Sequence, residues 1–179
     1  EAVASAGGKE FRELVESDSK EEIMAAMGNG AARVLSEKYR RGEMHGVLGI
    51  GGNQGTAIAS IAMRGLPIGF PKYLISTVAS GNIRPFVGHK DIAVVFSVSD
   101  MVGGPNVVTR SVLSNGIAAL IGMVENGEAL SPDRRTPTIA VSALGNTEEA
   151  VNKAEKRLRE AGYQVVAFQA SGAGGSAME

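Results

Sequence analysis

The chain reads as an α/β protein with a mostly parallel sheet, on three observations. Runs of strand length fall at residues 46–50, 73–77, 92–98, 138–143 and 164–170. Segments with helical spacing separate most of them. The runs are nearly continuous in apolar residues rather than alternating, as strands covered on both faces by helices are.

The elements follow in order. Ser19-Lys-Glu-Glu22 has the spacing of a capping box, and Ile23, Met24, Met27, Ala31, Val34 and Leu35 continue at helical spacing to Tyr39. Gly28 and Gly30 weaken the centre of this helix, and Arg40-Arg41-Gly42 closes it. The strand at 46–50 runs into a turn of Gly51, Gly52, Asn53, Gln54 and Gly55, followed by a helix from Thr56 to Arg64. Strands at 73–77 and 92–98 come next. The helix at 106–125 is broken as a membrane span by Arg110 and Asn115, so a core helix is expected.

Residues 127–136 are polar with a proline and read as a linker. Beyond them stand a strand, a helix over 147–161 capped by the Asn146/Glu149 pattern and ended by Gly162, a second strand, and a Gly-rich loop at 171–176. A lone βαβ unit cannot cover both faces of its sheet. Residues 137–179 are therefore expected to begin a second subdomain after a first at 1–130.

Composition removes several functions. Net charge is -1, aromatics are 4% and Trp is absent, which disfavours a nucleic-acid surface. With no Cys and two His, neither a thiol nucleophile nor a His-rich metal site is expected. No signal peptide or membrane segment is legible. A cytoplasmic location is the default, and the non-Met start suggests a piece of a longer protein.

The loops leaving the strands differ from those entering them. The leaving loops, at 51–56, 76–82, 97–106, 145–147 and 171–176, hold Gly, Ser, Thr and Asn, with Asp100 their one charge. The entering loops, at 38–43, 88–91, 133–135 and 159–162, are mostly charged. Ligands of open parallel sheets bind outside the carboxyl ends of the strands, and backbone N–H groups at a helix start hold anions. The asymmetry points to a backbone-lined phosphate pocket, although tight turns and caps demand the same residue types.

Individual motifs sharpen this. Gly49, Gly51 and Gly55 approximate a dinucleotide fingerprint with one spacing too long and no acidic ribose partner, which disfavours NAD. Gly55-Thr56 lacks the lysine of a P-loop. Gly51, Gly52, Asn53, Gly55 and Thr56 are thus the expected cradle, with Ser76, Thr77, Ser80 and Gly81 adding hydroxyls and a turn. Asp100 is the candidate for Mg²⁺ or a ribose hydroxyl, its alternative being a turn carboxylate. Lys72 reads as a snorkelling structural lysine, and His45 and His89 as surface residues. No nucleophile–base pair is legible.

Taken together, Gly-Ile-Gly-Gly-Asn-Gln-Gly-Thr at 49–56, Met-Arg-Gly-Leu-Pro-Ile-Gly-Phe-Pro-Lys-Tyr-Leu-Ile-Ser-Thr-Val-Ala-Ser-Gly at 63–81, Phe-Val-Gly at 86–88, Phe-Ser-Val-Ser-Asp at 96–100 and Ser-Gly-Ala-Gly-Gly-Ser-Ala-Met-Glu at 171–179 resemble a known family. It is the ATP-binding domain family of the tomato tobamovirus-resistance protein, with relatives in bacteria and fungi. The resemblance implies Rossmann-like subdomains with helices on both sheet faces, ATP at Gly-rich loops, and self-association as a homodimer or higher oligomer. It also implies a protein partner, since in the plant member this domain acts on a viral replication protein. Gly172, Gly174, Gly175 and Ser176 would close the nucleotide site from the second subdomain. Ser176 stands where relatives commonly have Arg, and Asn53-Gln54 where they have Ser-Gly. The expected function is ATP binding, with Mg²⁺ as the accompanying ion and no nucleic-acid or membrane partner. The alternatives are an ATP-dependent ligase or hydrolase domain, or a pure protein-interaction module.

Overall fold

The computed structural model describes residues 1–104, 106–131, 135–170 and 172–178. The chain divides into two compact units, Glu1–Leu130 and Ser131–Glu179.

The first unit opens with two short helices the sequence pattern did not reveal, α1 (Ala2–Ala6) and α2 (Phe11–Glu16). Next is α3 (Lys20–Arg40), whose Ser19 Oγ accepts from Glu22 N at 3.2 Å. Only this half of the capping box forms, because the Glu22 carboxylate is taken by Lys9 Nζ at 2.7 Å. That contact holds the Glu22 carboxyl below, and the Lys9 ammonium above, their ordinary pKa values.

Gly28 and Gly30 do not break α3. A Cβ at Gly28 would lie 2.8 Å from the Ile61 side chain, and one at Gly30 1.8 Å from the Val3 carbonyl oxygen. Each glycine costs about 1 kcal/mol of helix propensity. In exchange, α1 and the helix bearing Ile61 pack directly on the α3 backbone.

The sheet is built from β1 (Val47–Gly51), β2 (Lys72–Ser76) and β3 (Ala93–Phe96), paired in parallel in the order β1-β2-β3. After β1 comes α4 (Asn53–Arg64), after β2 α5 (Arg84–Val87), and after β3 α6 (Val107–Asn126). The alternation of β2 puts helices on both faces. Leu74 joins Met63 of α4 and Ile92 in the core cluster, while Ile75 and Tyr73 sit against Gly116 of α6. Leu74 and Ile75 are fully buried, worth about 2 kcal/mol each in transfer free energy. β3 stops two residues short of the predicted 98 because Val98 takes φ 64, which a strand cannot continue through.

Two corrections concern single elements. Among its residues α6 buries only Thr109 and Gly116. It is a helix laid on one face of the sheet with its far side open, not a core helix. By length and composition alone it could cross a membrane. Lys72 does not snorkel; it is fully buried at the start of β2, with Nζ donating to Pro67 O at 2.7 Å and Phe70 O at 2.8 Å and pairing with Asp91 Oδ1 at 2.8 Å.

The second unit pairs β4 (Thr138–Ala143) with β5 (Gln164–Gln169) in parallel, from Thr138↔Gln164 to Ala143↔Gln169. Between them a 3-10 turn, Gly145–Thr147, leads into α7 (Glu148–Glu160). The N-cap position of α7 is Thr147, not the expected Asn146, and it makes no side-chain cap bond; its Oγ1 instead accepts from Leu144 N at 3.1 Å across the 3-10 turn. Gly162 at φ 90 ends that helix as predicted. From Ala173 onward the Gly-rich segment after β5 is helical, forming α8 (Ala173–Met178). A Cβ at Gly174 would meet the Gln169 carbonyl oxygen at 1.8 Å, so glycine there serves the close return of α8 onto β5.

Candidate functional site

The three strands of the first unit end side by side. Beyond the last ladder pairs, Thr77 N donates to Gly51 O at 3.1 Å and Ser97 N to Ser76 O at 3.0 Å. The exits of β1, β2 and β3 are therefore held in one row at the carboxyl edge.

At the first exit the helix starts three residues earlier than predicted. Gly52 is the N-cap of α4, and Asn53, Gln54 and Gly55 form its first turn rather than a loop. The first intrahelical bond is Thr56 N to Gly52 O, at 2.7 Å. By helix geometry the N–H groups of residues 53–55 have no acceptor within α4. They carry the positive end of the helix dipole. Asn53 and Gln54 are exposed, and Gly51, Gly52 and Gly55 half-buried.

Glycine does different work at each position. A Cβ on Gly51 would lie 2.7 Å from Gly55 Cα, so this glycine lets the helix begin against the strand end. A Cβ on Gly52 would have a single neighbour within 4 Å, Thr77 Oγ1 at 3.4 Å. The missing side chain leaves a notch between the exits of β1 and β2, bordered by the Thr77 hydroxyl.

Two expected ligand hydroxyls lie below this notch. Thr56 and Ser76 are 2% and 0% exposed, and their oxygens meet at 2.7 Å. Thr56 Oγ1 also donates to Gly51 O at 3.3 Å, and Ser76 Oγ accepts from Val78 N at 3.2 Å. They tie α4 to β2 and fix the exits, so they shape the row without presenting an oxygen to solvent. Thr77 is the hydroxyl beside the notch; Ser80 and Gly81 lie farther along the turn and are exposed.

The third exit holds a feature the sequence did not signal. Ser99 N donates to Ser97 O at 2.7 Å around Val98 at φ 64, a tight turn strained for a β-branched residue. Buried Ser97 Oγ donates to Ser99 O at 2.8 Å, and Asn106 Nδ2 donates to Ser99 Oγ at 2.7 Å. Asn106 then caps α6, accepting from Val108 N and Thr109 N at 2.9 and 3.0 Å. Asp100 is exposed, and its Oδ1 accepts from Met101 N at 2.6 Å, the turn role held open as its alternative. No cluster of metal-ligating side chains exists among the described residues.

Gly172, Gly174, Gly175 and Ser176 belong to the second unit, at and within α8, with Gly172 at φ 69. Ser171 lies outside the described residues. Two clefts of the first unit sit away from the carboxyl edge. One, of about 340 Å³, is lined by Tyr39, His45, Phe70, Met123 and Leu130 among others; the second, of about 300 Å³, lies between α3, β1 and α4 and is almost wholly apolar. His45 and His89 are exposed, as read from the sequence.

Comparison with known proteins places the chain. Residues 1–129 match the N-terminal domain of the Uncharacterised protein family (UPF0261), and residues 136–179 its C-terminal domain. The chain is 41% identical over 177 residues to a UPF0261 protein of Clostridium tetani, covering 99% of this chain and 43% of that protein. It is 40% identical over 160 residues to the ToMV resistance protein Tm-1(GCR237) of Solanum lycopersicum, covering 87% of this chain and 21% of that protein. The ToMV susceptible protein tm-1(GCR26) of the same plant is 39% identical over 166 residues, 90% of this chain and 22% of that protein. The chain thus spans less than half the length of these relatives. It belongs to the UPF0261 family.

Proposed function

We propose that this UPF0261 chain binds a nucleotide, ATP by the family resemblance, with its phosphates over the first turn of α4. The observation that carries the reading is the notch at Gly52, where a Cβ would meet nothing but the Thr77 hydroxyl and which opens beside the N–H groups of residues 53–55. Backbone N–H groups and a helix dipole hold anions without a basic side chain. That agrees with three exit loops whose one charge is Asp100. The Thr77 hydroxyl adds a donor at the rim. Asp100 is the carboxylate to meet Mg²⁺ on the nucleotide, through the oxygen its turn leaves unused. Bound Mg·ATP would supply phosphate charge for the helix start to neutralise; the chain's part is binding and orientation.

The test is calorimetric titration with ATP, with and without Mg²⁺, beside Gly52→Val and Asp100→Asn. Gly52 has φ -82 and ψ -156, a negative φ open to residues other than glycine, and circular dichroism checks that the variant keeps its fold. Binding is expected to weaken at least about tenfold in Gly52→Val through loss of phosphate contacts. Asp100→Asn is expected to matter only when Mg²⁺ is present. Equal affinity of Gly52→Val and the native chain, or no heat at millimolar ATP, would overturn the reading.

A further inference from the structure

We infer that the cleft at the amino edge of the first unit's sheet is a ligand site in its own right, built for a small organic cation with an apolar or aromatic body. It lies at the strand ends opposite the notch at Gly52. Its volume of about 340 Å³ falls within the range of small-molecule pockets. Every residue that lines it belongs to the first unit.

Three segments form the walls. Tyr39 stands in the last turn of α3, and its ring meets Phe70 edge to face with centroids 5.2 Å apart. Phe70 belongs to the segment entering β2, and that segment is pinned. Buried Lys72 Nζ donates to Pro67 O and Phe70 O, while Asp91 accepts from Gly69 N. A wall held in this way adds little ordering cost when a ligand arrives. The third wall is the end of α6, at Met123 and Val124, with the residues that follow to Leu130. Gly69, at φ 85, lets Leu130 approach, since a Cβ there would stand 2.9 Å from Leu130 Cβ.

Charge says what the cleft takes. Gly127 leaves α6 extended, at φ -72 and ψ 150, and its N–H donates to Met123 O. By helix geometry the carbonyls of residues 124–126 have no donor within α6, so the negative end of the helix dipole stays open beside the cleft. Glu128 follows, the one carboxylate on the lining, and it forms no ion pair among the described residues. Nearby cations are committed elsewhere: Lys38 to Glu43, Arg41 to Glu37 and Lys72 to Asp91. An anion would be repelled by both the helix end and Glu128. An ammonium is attracted by both, and the aromatic rings add a cation–π contribution. The inference is independent of the nucleotide reading, which concerns the other edge of the sheet.

Amide proton–nitrogen NMR titration of the labelled 179-residue chain tests it, with phenethylamine and its counterpart of opposite charge, phenylpropionate. At about pH 8 a free imidazole is neutral and an alkylammonium charged, so exposed His45 does not blur the comparison. Phenethylamine is expected to give saturable shifts at Gly42, Gly69 and Gly127, and phenylpropionate to bind at least about tenfold more weakly. Glu128→Lys should reverse that preference. Tyr39→Leu, which keeps bulk and removes the ring, should weaken the amine about fivefold. Circular dichroism checks the folding of both variants. Absence of saturable shifts up to about 10 mM amine, on the weak side of ordinary ligand affinities, would overturn the inference. So would equal binding of the two probes, or a preference that Glu128→Lys leaves unchanged.

Discussion

Replacing Lys72 with Met is expected to cost the first unit about 3 kcal/mol. The ammonium is fully buried and holds three oxygens at once: Pro67 O, Phe70 O and Asp91 Oδ1. Methionine has nearly the same length and no proton to give. The two carbonyls would lose charge-assisted bonds, and Asp91 would lose its counter-ion. Asp91 also ties the loop from its other oxygen, accepting from Gly69 N at 2.8 Å. Its side chain is 40% exposed, so water can replace part of what Lys72 gives it. Asp91→Asn should therefore cost about 1 kcal/mol, since one acceptor survives. Urea unfolding followed by circular dichroism checks the order. Equal midpoints for native and Lys72→Met chains would contradict the clamp.

The second large effect is expected at Gly51→Ala. Its new Cβ would stand 2.7 Å from Gly55 Cα and 2.9 Å from Gly55 C, both backbone atoms in the first turn of α4. Backbone cannot rotate aside as a side chain does, so the end of β1 and the start of α4 must separate. Overpacking of this kind costs about 2 kcal/mol. Gly55→Ala is the contrast, because its Cβ would meet only Ile50 O, at an ordinary 3.5 Å. That position is already helical, so alanine should stabilise by about 0.5–1 kcal/mol. Thermal melts of the two variants should move in opposite directions. Parallel shifts would mean that the glycines are there for loop freedom, not for space.

That pair also shows where sequence reasoning reached its limit. The strands were legible as near-continuous apolar runs, and 138–143, although none of its residues is buried, matched to the residue. The early start of α4 was not, because Asn53, Gln54 and Gly55 look like turn residues when helix packing is invisible. The same blindness made Gly28 and Gly30 look like weak points and residues 173–176 like a loop. In each case glycine was needed for close approach of another element, its backbone or, at Gly28, the Ile61 side chain, which local propensity cannot express. Short helices such as Phe11–Glu16 lacked the length for a period to show.

The site was half legible. The row of small polar residues at the carboxyl edge was readable from composition, and the chain's ends of β1, β2 and β3 do meet there. Which hydroxyls face outward was not, because that depends on pairing across elements. Thr56 and Ser76, separated by 20 residues, spend their oxygens on each other, while neighbouring Thr77 borders the notch. The turn at Val98 had no sequence signal, since valine is among the residues least suited to positive φ.

The most direct measurement of the central claim is an amide proton–nitrogen NMR titration of the labelled chain with ATP. The account predicts saturable shifts centred on the amides of Asn53, Gln54 and Gly55, with Thr77 the next to respond. Saturable shifts confined to the cleft around His45 and Phe70, with residues 53–55 unmoved, would contradict it.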